Sequence, residues 1–197
     1  WLNILGNPHY EKTKLYARLA YAPGDGSQKL SLFAHFTEHT GDVGRPNRDF
    51  HNDCALVNAA YSKTFGDDWT VQLKAGYRNY DRQWGEDNYP AALSLREHDG
   101  VRQEIYLSDL TVNYRHAGDS MLTAGADLQK NSYETYPLAN EVRARAYGLF
   151  LQEKLVLDRW VFRVGGRANR THHAYDKIDA QTPELHNRDW SSTLWSA

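Results

Sequence analysis

The sequence predicts an all-β fold: an antiparallel up-and-down meander of about nine strands, forming part of a transmembrane outer-membrane β-barrel. Three observations carry this prediction. Apolar and polar side chains alternate strictly in repeated stretches, the wet face carries long charged side chains in mid-strand, and tight Gly/Asp turns alternate with long polar links. Period two is the mark of a strand with one greasy and one wet face. A soluble meander or lipocalin-like barrel shows the same period. It has no reason, however, to sort its links into short ones at one rim and long ones at the other.

Each strand can be justified in turn. Leu15, Ala17, Leu19 and Tyr21 alternate with Lys14, Tyr16, Arg18 and Ala20, and the run closes in Pro23-Gly24-Asp25-Gly26-Ser27. Leu30, Leu32, Ala34 and Phe36 then alternate with Ser31, Phe33, His35 and Thr37, and Val57, Ala59 and Tyr61 with Asn58, Ala60 and Ser62. The best copy follows Gly66-Asp67-Asp68: Trp69, Val71, Leu73, Ala75 and Tyr77 against Thr70, Gln72, Lys74, Gly76 and Arg78. Leu110, Val112 and Tyr114 precede the turn Ala117-Gly118-Asp119, and Leu122, Ala124, Ala126 and Leu128 follow it. A strand over 142–157, the turn Asp158-Arg159 and the strand beginning at Trp160 come next, and a ninth strand starts near Trp190. Gly and Asp tolerate the positive φ that tight hairpins require. The other links, around 41–53, 85–100, 135–141 and 176–188, are long and polar and are expected to be loops at the outer rim.

Aromatic placement fits a membrane wall. Trp69, Trp160, Tyr21, Phe65 and Tyr114 flank the tight turns and would form the periplasmic girdle, with Tyr77, Tyr80, Tyr106 and Tyr133 as the outer one. Mean hydropathy is negative and no apolar run reaches the roughly twenty residues of a membrane helix, which suits a wall whose alternate residues alone meet lipid. A net charge of −2 implies no nucleic-acid partner. Cys54, the single cysteine, cannot form an internal disulfide and reads as a small filler. The segment Trp1-Leu2-Asn3-Ile4-Leu5 lacks the features of a signal peptide. With an odd strand count as well, the chain is expected to be part of something longer, because open strand edges in lipid are prohibitive.

The hairpin Ala146-Tyr147-Gly148-Leu149-Phe150-Leu151-Gln152-Glu153-Lys154-Leu155-Val156-Leu157, its two-residue turn, and Trp160-Val161-Phe162-Arg163-Val164-Gly165-Gly166-Arg167 resemble the TonB-dependent outer-membrane receptors. Leu122-Thr123-Ala124-Gly125-Ala126-Asp127 resembles a strand of the same family. The resemblance implies a barrel of about 22 strands around an N-terminal plug. It also implies import of a scarce nutrient: most often a ferric siderophore, also cobalamin, haem or oligosaccharides. The TonB complex would supply the energy through a box before the plug. Residues 1–197 would then be a partial barrel domain, with plug and TonB box not present in it. The wet-face charges Lys14, Arg18, Lys74, Arg78, Asp109, Arg115, Asp127, Arg163 and Arg167 would pair with the plug. Glu153 falls in phase with Leu149, Leu151 and Leu155, so a bulge, a rim position or a shifted register is expected there.

Ligand-binding candidates are expected in the outer loops: Arg45, Arg48, Tyr80, Arg82, Trp84, Tyr89, Tyr133, Tyr136, His172 and His173. Aromatics and arginines suit an anionic, partly aromatic chelate through stacking and charge-assisted hydrogen bonds. No structural metal site is expected. His35 and His39 share a face but lie about 13 Å apart along a strand, and His172 and His173 point to opposite faces if strand-like. No cofactor is implied, and no nucleophile, base and orienter cluster as in an enzyme. The alternative to a gated receptor is a passive porin or small structural barrel without a plug.

Overall fold

A computed structural model of the chain describes residues 9–42, 49–87, 94–135, 140–177 and 187–196. Every element is a strand: β1 Tyr10–Tyr21, β2 Gln28–Asp42, β3 Asp49–Phe65, β4 Trp69–Asp87, β5 Ser94–Ala117, β6 Ser120–Thr135, β7 Asn140–Leu157, β8 Trp160–Lys177 and β9 Arg188–Ser196. They form one nine-stranded sheet in chain order, each strand antiparallel to the next, with β1 and β9 at its edges. Interior strands therefore satisfy their backbone groups on both sides, as a wall in lipid must.

The tight turns owe their geometry to one left-handed residue each. Gly26, Gly66 and Gly118 have φ of 67°, 59° and 55°, and Asp158 adopts 52°. Only glycine enters this region freely, and Asp is among the few side chains that tolerate it. Trp69 and Trp160 open their strands immediately after such turns.

A single sheet has no core of its own. Among the described residues no hydrophobic side chain is buried, and Leu15, Leu149 and Trp195 are 67%, 64% and 81% exposed. An apolar face this large needs a cover other than water. The register keeps it continuous: Leu19, Leu32, Ala59 and Ala75 lie opposite one another across β1 to β4, and Leu73, Leu110, Ala126, Leu149 and Ala168 across β4 to β8. Trp69 stacks on Tyr114 with ring centroids 4.3 Å apart at the turn end of this face. Tyr77 and Tyr106 meet at 4.9 Å farther along.

Two sequence expectations need correction, and a third is met in one of the forms it allowed. The strands run well into the links expected to be loops: β4 reaches Asp87, β5 starts at Ser94, and β3 begins at Asp49. Crossing a bilayer takes about ten residues per strand, so the polar outer halves are ladder-paired extensions beyond the apolar band. Period-two alternation fades there because neither face is apolar. Second, Tyr80 and Tyr133 do not belong to the outer girdle. Tyr80 lies opposite Cys54 and Gln103, and Tyr133 opposite Gln103 and Val142, on the polar face. Third, the nearest irregularity to Glu153 is in β5, not β7: the register shifts between Arg115 and Ala117. There His116 Nε2 meets Glu153 Oε1 at 2.8 Å near the turn end. This is a rim position with a hydrogen-bond partner, which lowers the cost of a carboxylate on an apolar face.

The glycines of the late hairpin have a specific steric role. A Cβ on Gly148 would collide with the Arg167 guanidinium and the Asp127 carboxylate. Gly148 thus leaves the gap through which Arg167, on β8, crosses β7 to reach Asp127 on β6 at 2.6 Å. Asp127 and Arg167 pair within the wall itself, so for these two no other domain is needed.

Candidate functional site

At the end of the sheet away from the tight turns, the polar face of β1 to β4 gathers aromatic and cationic side chains. Tyr10, His39 and Phe50 form a chain of edge-on rings, with centroids 4.5 Å and 4.9 Å apart. Phe50 faces Trp84 across the β3–β4 ladder, and Asn52 faces Arg82. The Arg82 guanidinium carbon sits 4.9 Å from the centroid of the Trp84 ring, a cation–π arrangement. Gly41 makes room for the Phe50 ring, with which a Cβ at that position would clash.

Two polar atoms here are conspicuous. His39 Nε2 and Asn52 Oδ1 are closed off from solvent and have no hydrogen-bond partner among the described residues, although His39 and Asn52 are direct cross-strand neighbours. Shielded polar atoms without partners are costly. The patch therefore presents a stacked guanidinium beside the rings of Tyr10, His39, Phe50 and Trp84. Its chemistry suits a ligand with flat aromatic surface and anionic oxygens.

A second, looser group lies on the same face of β5 to β9. Gln103 stands between Tyr80 on β4 and Tyr133 on β6. His173 meets Trp190 edge-on at 4.7 Å and Tyr175 at 6.3 Å. His172 points the other way and donates from Nδ1 to Asp189 Oδ1 at 3.0 Å.

Of the residues singled out from sequence, Tyr80, Arg82, Trp84, Tyr133 and His173 share the polar face, and they stand on strands, not in loops. His172 is separated from them by its strand phase. Arg45, Arg48, Tyr89 and Tyr136 lie outside the described residues. Sequence reasoning misses Tyr10, Phe50, Asn52 and Trp190. Their signal exists only in register: each is ordinary alone and becomes a member through its cross-strand partner.

A potential cation cluster occurs elsewhere, on the apolar-side phase of β2 and β3. One ligand atom each from Glu38, His51 and Asp53 lie within 4.8 Å of one another. His51 Nε2 is already engaged by Asp53 Oδ2 at 3.0 Å, so two of the three ligand atoms are occupied within the group.

The family model described as TonB dependent receptor-like, beta-barrel matches residues 1–197. No curated protein sequence matches the chain. Among solved structures, the ferric-catecholate import receptor Fiu from E. coli K12 superposes with a TM-score of 0.66 at 8% identity, over 94% of this chain and 40% of that one. The FrpB iron transporter of Neisseria meningitidis (F3-3 variant) gives 0.71 at 10% identity, over 94% and 34%. The copper transporter OprC gives 0.68 at 13%, over 95% and 33%. The chain thus spans between a third and two-fifths of these structures. At such identities they establish the fold. An open nine-strand meander with a far-rim aromatic patch, matched end to end by the family model, belongs to the TonB-dependent receptor β-barrel family of the bacterial outer membrane.

Proposed function

We propose that the chain is barrel wall of an outer-membrane receptor that binds a ferric siderophore and imports it with TonB-derived energy, through a plug domain elsewhere in the intact protein. In this reading the apolar face meets lipid, the polar face lines the lumen, and the end away from the tight turns is extracellular. The observation that carries it is the far-rim patch of Tyr10, His39, Phe50, Asn52, Arg82 and Trp84, with its stacked guanidinium and edge-on rings. A catecholate chelate offers both complements: rings for stacking and anionic oxygens for Arg82. The similar structures named for ferric-catecholate and iron import support the same ligand class. Transport, not catalysis, is the role of these relatives by name.

The test is uptake of radiolabelled ferric siderophores by cells carrying the intact receptor. Saturable uptake that disappears when the inner-membrane energising complex is deleted is expected. Uptake that is non-saturable and indifferent to that deletion would replace the proposal with a passive porin.

A further inference from the structure

On β2 and β3 the apolar-side phase continues beyond the apolar band into a group that the proposed function does not use. Glu38 and Asp53 are direct cross-strand neighbours, and His51 stands two residues beyond Asp53, opposite Thr40. All three are half-buried, and one ligand atom from each lies within 4.8 Å of the other two. Asp81 on β4 stands opposite Asp53, so three carboxylates share one row.

The group does not satisfy itself. His51 Nε2 meets Asp53 Oδ2 at 3.0 Å, which leaves the second oxygen of that carboxylate over. This atom, Asp53 Oδ1, is closed off from solvent and has no hydrogen-bond partner among the described residues. Glu38 is half-buried with neither a hydrogen bond nor an ion pair among the described residues. Asp81 receives only the neutral amide of Gln83, at 3.2 Å. A half-buried carboxylate without a counter-charge and a shielded oxygen without a donor are both costly. One bound cation between β2 and β3 answers both.

The donor set selects the cation. Calcium takes six or more oxygen ligands, and magnesium keeps several waters in an octahedron of oxygens. An imidazole nitrogen beside carboxylates suits zinc and its first-row neighbours. With bonds of about 2.0 to 2.2 Å, two ligand atoms of a tetrahedral site stand roughly 3.4 Å apart. The 3.0 Å between His51 Nε2 and Asp53 Oδ2 is already close to such an edge. Glu38 closes the third corner by rotating its flexible side chain.

We propose that Glu38, His51 and Asp53 form a site for a zinc-class divalent transition-metal ion that clasps β2 to β3, with water as the fourth ligand. Binding replaces the hydrogen bond between His51 and Asp53, and the imidazole keeps its proton on Nδ1. Asp81 adds negative charge one strand away. His39 and Asn52 alternate with these residues and belong to the opposite face. The ion is therefore a tie behind the aromatic patch and not the ligand of that patch.

The intact receptor, stripped of metal in detergent, would be titrated with zinc against a chromophoric chelator of known affinity. His51→Gln is expected to weaken zinc binding at this site about a hundredfold, and Asp81→Asn, which leaves all three ligands, less than about fivefold. His51→Cys is expected to restore zinc binding and, loaded with cadmium, to show thiolate-to-metal absorption, which also excludes a folding defect. Wild type should lack that absorption at this site, because Cys54 shares the phase of Asn52 on the other face. Zinc is also expected to slow amide exchange at Thr40 and His51 in wild type and not in His51→Gln. Equal zinc affinity of wild type and His51→Gln would overturn the proposal. Equal losses in His51→Gln and Asp81→Asn would do so too, because the row would then attract cations only diffusely. Displacement of zinc by equimolar calcium would overturn the assignment of the metal class, and unchanged amide exchange would overturn the clasp.

Discussion

The first four strands and the last four end their apolar band at different rows. One ladder row on the apolar side carries Ala34, Val57 and Tyr77 on β2 to β4. On β6 to β8 the same row carries Lys130, Arg145 and His172. The polar faces differ as well. The early strands pack Tyr10, His39, Phe50, Arg82 and Trp84 into a dense patch, whereas the later strands carry the crossing pair Arg167–Asp127 and a sparser aromatic group. One wall built from one repeating hairpin thus carries a dense aromatic patch on one side. On the other it carries the ion pair that ties β6 to β8. Only the side chains presented at equivalent lattice points distinguish them.

The comparison breaks if ligand affinity is spread evenly. Arg82→Ala combined with Trp84→Ala is expected to weaken ferric-catecholate binding by the intact receptor about a hundredfold, since a charged hydrogen bond and a stacked cation go together. Tyr133→Ala with His173→Ala should cost less than about tenfold by the same equilibrium assay. Equal losses would place the site at the centre of the lumen and end the distinction. A smaller effect sharpens the structural half. Gly148→Val fills the gap used by Arg167 and should destabilise the barrel by about 2 kcal/mol in urea unfolding, the usual cost of overpacking. Gly24→Ala, where nothing lies within 4 Å and no positive φ is required, should change little.

The smallest effect belongs to the first turn. Ser27 donates its backbone N–H and its hydroxyl to Asp25, which holds that carboxyl below its ordinary 3.8. A depressed folded value means the contribution is full above the unfolded pKa and fades as pH falls through the lowered one. The Ser27 amide should therefore lose hydrogen-exchange protection only below about pH 4. Protection that falls instead between about pH 5 and 7 would point to a histidine.

How much of this is legible in the sequence depends on contrast between the two faces. Trp69 to Arg78 alternates so clearly that strand, phase and starting residue all follow from the residues alone. The outer halves do not. From Asn79 to Asp87 both faces are polar, alternation carries no signal, and a paired strand reads as a loop. The outer-girdle expectation for Tyr80 and Tyr133 fails for a related reason. A count from the turn gives the height of a tyrosine on the wall, but a one-residue change in phase moves it from lipid to lumen.

The chain's own pattern is enough to determine an all-β meander, its turns and its apolar phase. These are local: alternation follows from the pleat, and Gly26, Gly66, Gly118 and Asp158 answer the backbone geometry of their own residues. The tertiary structure alone decides which strand positions meet. His39 beside Phe50, Arg167 reaching Asp127 over Gly148, and Arg145 between Lys130 and His172 are separated in sequence by 11, 40 and at least 15 residues (50−39, 167−127, 145−130). The physical reason is register. Pairing across strands is fixed collectively by hydrogen-bond ladders and turn lengths, so no single residue announces its neighbour until the whole sheet has formed.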